Sequence, residues 1–329
     1  MNKIVFIVPK SKSPCGIYDY TINVINEAQK KYDNVDRIVI VPGFFFWLKL
    51  LMKCNDDVMV MQYPALVYRR SLFPAIYAMF SKFFSRKLIT ILHENSEASR
   101  LRKLINKIIL HSSYKIVVTN KAEYEYLPVG EVRNKANIIS IGSNTVGISP
   151  LPECKSLNNR VAFFGLVRKD KGIEEFIELI DSDRQKEFKY IFVGGTTEVD
   201  PVYTSKVIDF LNARGVELHL NEELNIIHQV LCSCTYTYLI YPDGASERRG
   251  SLLASLKAGC IVFSNDDRQT SEPIRQVINY PTLAEMRKIH KLSARVKRDL
   301  IGKSLAVNEL YSWNKIAKEI IDLATCNDG

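Results

Sequence analysis

Residues 160–180 read RVAFFGLVRKDKGIEEFIELI, and this stretch indicates the fold class of the whole chain. Its first residues are apolar and favour a buried strand, whereas residues 173–180 repeat apolar side chains at helical spacing. A short loop of glycine and charged residues joins the two segments. A buried strand that leads through such a loop into a helix is the building block of parallel α/β sheets.

The same alternation of strand and helix recurs along the chain in two series. Short runs rich in Ile and Val predict strands at residues 3–8, 36–41, 57–62, 87–92, 114–119 and 137–141, and again at 160–165, 189–195, 216–220, 236–241 and 260–264. Residues 142–159, GSNTVGISPLPECKSLNN, separate the two series and indicate a linker, because they are polar and lack periodicity. The pattern predicts two doubly wound, Rossmann-like α/β domains that face each other across a cleft.

The linker also sets the expected domain boundaries. We expect residues 1–150 to form the first domain and residues 151–308 to form the second. Residues 309–324, ELYSWNKIAKEIIDLA, predict an amphipathic helix, and the terminal segment 309–329 could pack back on the first domain. At 329 residues and 37.6 kDa the chain is long enough for two hydrophobic cores.

The composition is that of an ordinary globular protein, with 47% hydrophobic and 25% charged residues. The apolar runs are shorter than the roughly 20 residues that cross a bilayer. The N-terminal sequence MNKIVFIVPK lacks a cleavage region, so no secretory signal is visible. The seven cysteines are scattered without zinc-ligand spacing, which favours free thiols in a reducing cytoplasm.

The net charge of +9 is unevenly divided along the chain. Residues 1–150 contain 21 Lys and Arg against 11 Asp and Glu, whereas the remainder contains 24 against 25. Such a surplus favours contact with an anionic surface, either a membrane or a nucleic acid. Because no RNA- or DNA-binding module is recognisable, we expect a membrane and no nucleic acid as partner.

Two loops between a strand and a helix are candidates for holding a phosphate group. In the opening stretch, Arg168 and Lys171 lie between Gly165 and Gly172, where two cations beside a helix N-terminus could hold a diphosphate. The loop that ends at Gly16 would let backbone N–H groups approach an anion. A plain solvated turn explains either loop about as well, and neither is a G-x-G-x-x-G or Walker loop.

Six segments, over roughly residues 3 to 265, resemble the family-4 retaining glycosyltransferases of the GT-B fold in the family's own order. FFGLVRKDKG resembles their FFG-x-I-R-x-x-K-G element, and CGIYDYTINVINEA resembles their glycine loop and first helix. DVMVMQYP, ITILHENSE and NIISIGSNT resemble three later segments of the first domain. YPDGASERRGSLLASLKAGCIVFSN resembles their donor-sugar loop. Each segment alone is unspecific, but six in register are specific.

The resemblance implies that the second domain binds a nucleotide sugar and the first domain binds the acceptor. Gly165, Arg168 and Lys171 match the positions that bind the donor diphosphate. His93 stands where the family places a histidine that faces the donor sugar, and Glu94 beside it is a secondary candidate. A lone histidine after an apolar strand is otherwise more often structural, which is how we interpret the remaining four histidines.

In the donor-sugar loop, Glu247 matches the first acid of the family's Glu-x7-Glu pattern, so Glu247 and His93 are the expected catalytic residues. Ser255 replaces the second Glu, which binds the ribose hydroxyls in the family, and ribose recognition is therefore unassigned. The amides and hydroxyls of Ser246, Gly250 and Ser251 could bind the sugar or phosphate instead.

Arg248 and Arg249 directly follow Glu247 in this loop. We expect one of them to reach the diphosphate and the other to pair with a nearby acid at the surface.

Retention of anomeric configuration is also implied by the resemblance. No carboxylate pair suggests a double displacement, so we expect a front-face substitution in which the departing phosphate takes the acceptor proton. We expect no cofactor and no requirement for a metal. The D-x-D sequence at residues 181–183 follows a predicted helix, which favours a solvated loop over a metal site.

One predicted helix of the first half could dock the acceptor side. Its apolar face comprises Leu72, Phe73, Ile76, Tyr77, Phe80, Phe83 and Phe84, and its flanking cations are Arg69, Arg70, Lys82, Arg86 and Lys87. Residues 43–53, GFFFWLKLLMK, have a similar composition. Both segments fit either an ordinary core face or a surface that contacts an anionic membrane.

The sequence thus predicts a cytoplasmic glycosyltransferase, peripheral at the inner face of the plasma membrane. It would move a hexose-type sugar from UDP or GDP to a glycan or lipid-linked saccharide during bacterial surface polysaccharide or lipopolysaccharide assembly. One alternative is a GT-B-like protein that binds a nucleotide or glycan without transfer, which Ser255 suggests. A nicotinamide-dependent enzyme is disfavoured because G-x-G-x-x-G is missing.

Overall fold

Two units make up the chain. Unit 1 contains Met1–Gly142 and Trp313–Gly329, and unit 2 contains Ser143–Ser312. The computed structural model describes residues 3–9, 16–40, 46–47, 50–51, 57–68, 71–93, 95, 98–196 and 200–326.

Within its described residues, unit 1 is built on a parallel sheet of six strands in the order β2-β1-β3-β4-β5-β6. Its strands are β1 (Ile4–Val8), β2 (Val35–Val39), β3 (Val58–Tyr63), β4 (Leu88–Leu92), β5 (Lys115–Val118) and β6 (Ala136–Ile138). Its first helices are α1 (Gly16–Gln29), α2 (Phe73–Phe83), α3 (Arg100–Ser112), α4 (Lys121–Tyr126) and α5 (Glu131–Asn134). Every residue of β1, β3 and β4 is buried, which explains their uninterrupted apolar sequences.

Unit 2, in the part that the structure describes, has a second parallel sheet of six strands in the order β12-β11-β10-β7-β8-β9. Its strands are β7 (Arg160–Phe164), β8 (Lys189–Gly194), β9 (Glu217–Leu220), β10 (Tyr236–Leu239), β11 (Ile261–Ser264) and β12 (Ile278–Asn279). Its helices are α6 (Ile173–Ser182), α7 (Pro201–Ala213), α8 (Leu224–Ser233), α9 (Gly250–Lys257), α10 (Glu272–Arg275), α11 (Leu283–His290) and α12 (Ala294–Glu309). The predicted class of two doubly wound α/β domains is confirmed.

The strand order places a switch point in each sheet. In unit 2 the chain runs from β7 outward to β8 and β9, and then returns to β10 on the other side of β7. The helices that follow β7 and β10 therefore leave the sheet in opposite directions, and a crevice opens at the carboxyl ends of these strands. In unit 1 the corresponding point lies between β1 and β3.

The C-terminal helix α13 (Trp313–Thr325) packs against α1 in unit 1. Ile316, Ile320 and Ile321 are buried in the same core as Val24 of α1. An amphipathic helix with this spacing covers one face of the first sheet, although its sequence lies at the far end of the chain.

Helix α2 differs from the single apolar face that its sequence suggests. Tyr77 and Ala78 are buried in the core, whereas Ile76, Met79 and Phe83 are exposed. The predicted face is therefore divided between core and surface. No described helix of the chain has the length and apolar character needed to span a bilayer. Arg69, Arg70 and most of residues 43–53 lie outside the described residues.

A buried lysine connects two helix ends in unit 2. The Nζ of Lys155 donates hydrogen bonds to the carbonyl oxygens of Leu231 (3.1 Å) and Ala258 (2.5 Å). Leu231 belongs to the last turn of α8, and Ala258 follows α9. The carbonyl of Leu231 also accepts from the N–H of Cys234, so the ammonium group adds a further donor there and supplies one to Ala258, while it neutralises two helix C-terminal dipoles.

We predict that Lys155→Met lowers the free energy of unfolding of unit 2 by about 1–3 kcal/mol, because the carbonyl of Ala258 loses its lysine donor and that of Leu231 loses one of its donors. Lys303→Met, which changes an exposed lysine of α12, should leave it within about 0.5 kcal/mol. Circular dichroism in urea would follow both units, whereas Trp47 and Trp313 fluorescence reports unit 1 alone. Equal midpoints for the two variants would contradict this role.

Candidate functional site

The loops after β7 and β10 meet at the switch point of unit 2. Gly172 has a φ of +79°, and a Cβ atom built on it would lie 2.5 Å from the carbonyl oxygen of Ile240. Only glycine fits both this conformation and this approach. A cavity of about 490 Å³ lies beside the contact, lined by Lys169, Asp170, Gly172, Glu174, Glu175, Ile240 and Pro242. The crevice that the strand order predicts is therefore present.

The predicted cations lie on the first of these loops. The N–H of Gly165 donates to the carbonyl of Val193, which extends the pairing of β7 with β8. Arg168 is exposed and Lys171 is half-buried, but neither lines the cavity. Lys169 lies 3.6 Å from a carboxylate oxygen of Asp200, so its charge is already paired. Arg168 and Lys171 remain the predicted diphosphate ligands.

The side chain of Asn265, at the end of β11, holds the loop after β10. Its Oδ1 accepts from the N–H of Tyr241 (2.9 Å), and its Nδ2 donates to the carbonyl of the same residue (2.7 Å). Its own carbonyl accepts from the N–H of Ala245. Sequence reasoning missed this residue, although an asparagine directly after a buried strand is a recognised signal for side-chain to backbone hydrogen bonding.

Two buried oxygen atoms follow on this loop. Ser246 and Glu247 are only 1% and 6% exposed. The Oγ of Ser246 and the Oε2 of Glu247 have no hydrogen-bond partner among the described residues. Buried polar atoms without partners are rare in folded proteins. Both predicted residues thus lie on this loop: the Ser246 hydroxyl could donate a hydrogen bond to a ligand or accept one, and the Glu247 carboxylate oxygen could accept one.

Helix α9 begins immediately after this loop, at Gly250. A Cβ atom on Gly250 would meet nothing within 4 Å, and its φ is not in the left-handed region. A Cβ atom on Gly16, at the start of α1, would also meet nothing within 4 Å. Residues 10–15 of the loop before it lie outside the described residues. Contacts at the Cβ position therefore do not require glycine at either helix start.

The two other predicted serines of this region bond within the protein. The Oγ of Ser251 lies 2.8 Å from the hydroxyl of Tyr241. Ser255 is fully buried, and its hydroxyl donates to the carbonyl of Ser251 one turn earlier. The hydroxyl of Ser255 is therefore bonded within its own helix. It does not replace the acid that binds the ribose hydroxyls in the family.

The two arginines of the loop have different neighbours. Arg249 forms an ion pair with Asp243, and its guanidinium lies 5.1 Å from the ring of Tyr241. Arg248 donates to the side-chain oxygen of Gln269 at 3.3 Å. Arg249 is thus the arginine that pairs with a nearby acid.

His93 lies at the end of β4 in unit 1. It is buried, and its Nε2 is 2.8 Å from the Oε1 of Gln62, a fully buried residue of β3 that sequence reasoning missed. The ring of Tyr20 meets the imidazole edge-on, with centroids 5.3 Å apart. Burial lowers the pKa of His93 to about 4, so the ring is neutral near pH 7. Glu94 lies outside the described residues.

The D-x-D sequence is not a solvated loop, which corrects the sequence prediction. Helix α6 extends through Ser182, and Asp181 accepts two hydrogen bonds from Arg214, at 2.6 and 2.8 Å. Asp183 is buried and accepts from the N–H of Phe188 and the hydroxyl of Tyr190. Both carboxylates therefore stabilise the fold.

No group of three or more His, Cys, Asp or Glu that could hold a metal ion occurs among the described residues. Each of the four histidines interpreted as structural has a neighbour within the protein. Their nearest groups are the carbonyl of Lys107 for His111, Glu217 for His219, the carbonyl of Ile148 for His228, and the hydroxyl of Tyr236 for His290.

Comparison with known proteins gives structural relatives alone, since no protein-family model and no curated protein matches the chain. HepE from Anabaena, solved with UDP and glucose, is 15% identical with a TM-score of 0.68, over 99% of this chain and 100% of that one. The catalytic domain of starch synthase IV from Arabidopsis thaliana, bound to ADP and acarbose, is 11% identical with a TM-score of 0.66, over 98% and 99%.

A third relative is the lipopolysaccharide outer core galactosyltransferase WaaB, which is 12% identical with a TM-score of 0.57, over 96% of this chain and 99% of that one. At such low identity these likenesses concern the fold. The chain has the GT-B fold, with two parallel-sheet α/β domains, each of six strands within the part that the structure describes.

Proposed function

We propose that this protein is a glycosyltransferase that moves a hexose-type sugar from a nucleotide diphosphate, UDP or GDP, to a glycan or lipid-linked saccharide. The observation that carries the proposal is the loop before α9, where two buried oxygens without described partners lie close in sequence to Gly250, the exposed first residue of the helix. The UDP and glucose bound to HepE support a uridine donor. The substrate class of WaaB supports a role in bacterial surface polysaccharide assembly.

The donor would bind at the carboxyl edge of the second sheet. The N–H groups at the start of α9 would receive a phosphate, as helix N-termini commonly do. Ser246, Glu247 and Ser251 would contact the sugar or phosphate, while Arg168 and Lys171 would neutralise the diphosphate. The leaving group gains negative charge as its bond to the sugar breaks, so fixed cations stabilise the transition state more than the ground state.

The proposed reaction retains the anomeric configuration through a front-face substitution. The bond between the anomeric carbon and the β-phosphate oxygen breaks, and the leaving diphosphate takes both electrons. The acceptor hydroxyl oxygen bonds to the same face of the anomeric carbon, and its proton passes to the departing phosphate oxygen. No cofactor takes part and no metal is required. His93, which is neutral near pH 7, would offer a hydrogen bond rather than a charge to the substrate.

A second candidate is a GT-B-like protein that binds a nucleotide or glycan without transferring sugar. The full burial of Ser255 favours it, because the position that holds a ribose-binding acid in the family contributes nothing to a ligand here. Sugar transfer or donor hydrolysis that depends on Lys171 would exclude this alternative.

The cytoplasm is the proposed compartment. The described cysteines, at positions 154, 232, 234, 260 and 326, are all free thiols. Free thiols persist most readily in a reducing compartment.

We predict that a nucleoside diphosphate raises the thermal midpoint of the wild type and that Lys171→Ala removes most of this shift. A ligand at about 100 times its dissociation constant adds roughly 2.7 kcal/mol to the state that it binds. UDP, GDP, ADP and CMP should be compared without metal and then with Mg²⁺. Loss of one such cation should also reduce the transfer rate by about 10²–10³.

Lys189→Ala is the matched control, because Lys189 is an exposed lysine at the amino end of β8, on the opposite edge of the sheet. It should keep the full shift. If no nucleotide shifts the wild type, the donor site is wrongly assigned.

We predict that Gly250→Ala separates stability from binding. Alanine favours a helix over glycine by about 0.5–1 kcal/mol, so the thermal midpoint should stay constant or rise. The added methyl group would occupy the space proposed for the donor, at a cost of about 1–3 kcal/mol, or roughly fivefold to hundredfold in affinity. Isothermal titration calorimetry with UDP would measure this loss.

Gly302→Ala provides the control for this substitution, since Gly302 lies within α12 and its Cβ would meet only the side chain of Pro152, at 3.9 Å. Affinity should not change in that variant. Unchanged affinity in both variants would argue against binding at the start of α9.

We predict that His93 adds no titration step to transfer between about pH 5.5 and 8, because its folded-state pKa of about 4 lies below its ordinary value of 6.5. As the pH falls through this interval, the unfolded chain takes up the proton first, so the folded state loses stability. Titration of the His93 C2 proton by NMR, assigned with His93→Gln, would test this. A measured pKa near 6.5 would show that the ring is charged in weak acid.

A further inference from the structure

Helix α2 exposes an apolar stripe to solvent. Leu72, Ile76, Met79 and Phe83 follow each other at intervals of four, three and four residues, and all are exposed, Phe83 to 81%. This spacing places them along one side of the helix. The other side of α2, with Tyr77 and Ala78, belongs to the core of unit 1. The helix is therefore apolar on both sides, although only one side is covered by the protein.

The neighbouring helix α3 extends the apolar surface. It packs against α2 and buries Ile105 and Ile109 in the same core, yet it exposes Leu104 and Ile108 one turn apart. Apolar side chains that repeat along the solvent side of two packed helices favour a site of contact. We call the exposed apolar residues of α2 and α3 the apolar face.

The charges around the apolar face are all positive along these two helices. The sequences of α2 and α3 contain no Asp or Glu, whereas Lys82, Arg102, Lys103 and Lys107 are among their cations. Across the whole sequence, unit 1 has 23 Lys and Arg against 14 Asp and Glu, and unit 2 has 22 of each. The net charge of the protein is thus concentrated in the unit that carries the apolar face.

Cations also lie against aromatic rings within or next to these helices. The guanidinium of Arg86 lies 5.2 Å from the ring of Phe80 and 5.7 Å from that of Phe84. The ammonium of Lys103 lies 5.0 Å from the ring of Tyr126. Side chains that combine an apolar body with a positive tip suit the boundary between lipid tails and headgroups.

We propose that α2 and α3 dock on an anionic lipid bilayer, with the apolar face inserted at the level of the headgroups and the cations held against acidic phospholipids. A bilayer provides both an apolar layer and a negative surface over an extended area, which matches this arrangement. Docking does not depend on the proposed sugar transfer.

Flotation of the full chain with vesicles tests the proposal. We expect the wild type to bind vesicles of phosphatidylcholine with about one-third phosphatidylglycerol, to bind pure phosphatidylcholine weakly, and to be released as salt rises. The double variant Ile76→Ser, Phe83→Ser should bind at least about tenfold more weakly, since each change removes a large apolar contact. Lys103→Ala with Lys107→Ala should lower binding to the anionic vesicles alone.

Phe210→Ser is the matched control, because Phe210 is 53% exposed on α7 of unit 2 and has a guanidinium over its ring, that of Arg214. It should bind vesicles as the wild type does. Equal vesicle binding by the wild type and the Ile76, Phe83 double variant would overturn the proposal, as would failure of the wild type to bind. Concentration-dependent self-association without vesicle binding, lost in the double variant, would assign the apolar face to a second copy of the chain.

The UDP-induced thermal shift, measured in the same variants, separates this proposal from the proposed function. Vesicle binding without any nucleotide shift would leave docking supported and the donor site wrong. A nucleotide shift without vesicle binding would support the donor site and overturn docking on a bilayer.

Discussion

The close approach of Gly172 to the end of β10 is the constraint on which the candidate site depends. Gly172 has a φ of +79°, and a Cβ atom on it would lie only 2.5 Å from the carbonyl oxygen of Ile240. Any other residue would therefore have to move one of the two loops. The contact holds the start of α6 against the segment that leads to α9. The predicted cations and the buried oxygens of Ser246 and Glu247 thereby lie on loops that are fixed to each other.

Much of this architecture could be predicted because parallel sheets leave a strong signal. Strands such as β1 and β4 are buried on both faces, so their sequences are continuous apolar runs, and the glycine and charged loops after them mark the carboxyl edge. The two-residue strand β12 leaves no such signal, since its pairing depends on β11 rather than on its own sequence. Helix α2 was ambiguous because periodicity alone does not show which of two apolar sides is covered.

The site was predictable only as far as local motifs determine it. Motifs identified Ser246, Glu247 and Gly250, which the structure places on one loop and helix start. They did not identify Asn265, whose side-chain partner Tyr241 lies 24 residues away in sequence, or Gln62, which lies 31 residues from His93. The D-x-D sequence was misread for the same reason, because the arginine that binds Asp181 comes from the end of α7, another element of unit 2. Tertiary partners of this kind are invisible to a linear pattern.

The distribution of charge separates two kinds of anion recognition. Unit 2 has equal numbers of cations and acids, yet the proposed donor site lies there. A diphosphate needs a few donors at fixed positions, because charges farther away than about 8 Å are largely screened at physiological salt. A bilayer needs many cations, none of them individually placed, and unit 1 has these. A neutral second unit would also favour turnover in the proposed reaction. The released nucleoside diphosphate carries more negative charge than the donor, so a strongly positive surrounding would hold the product after transfer.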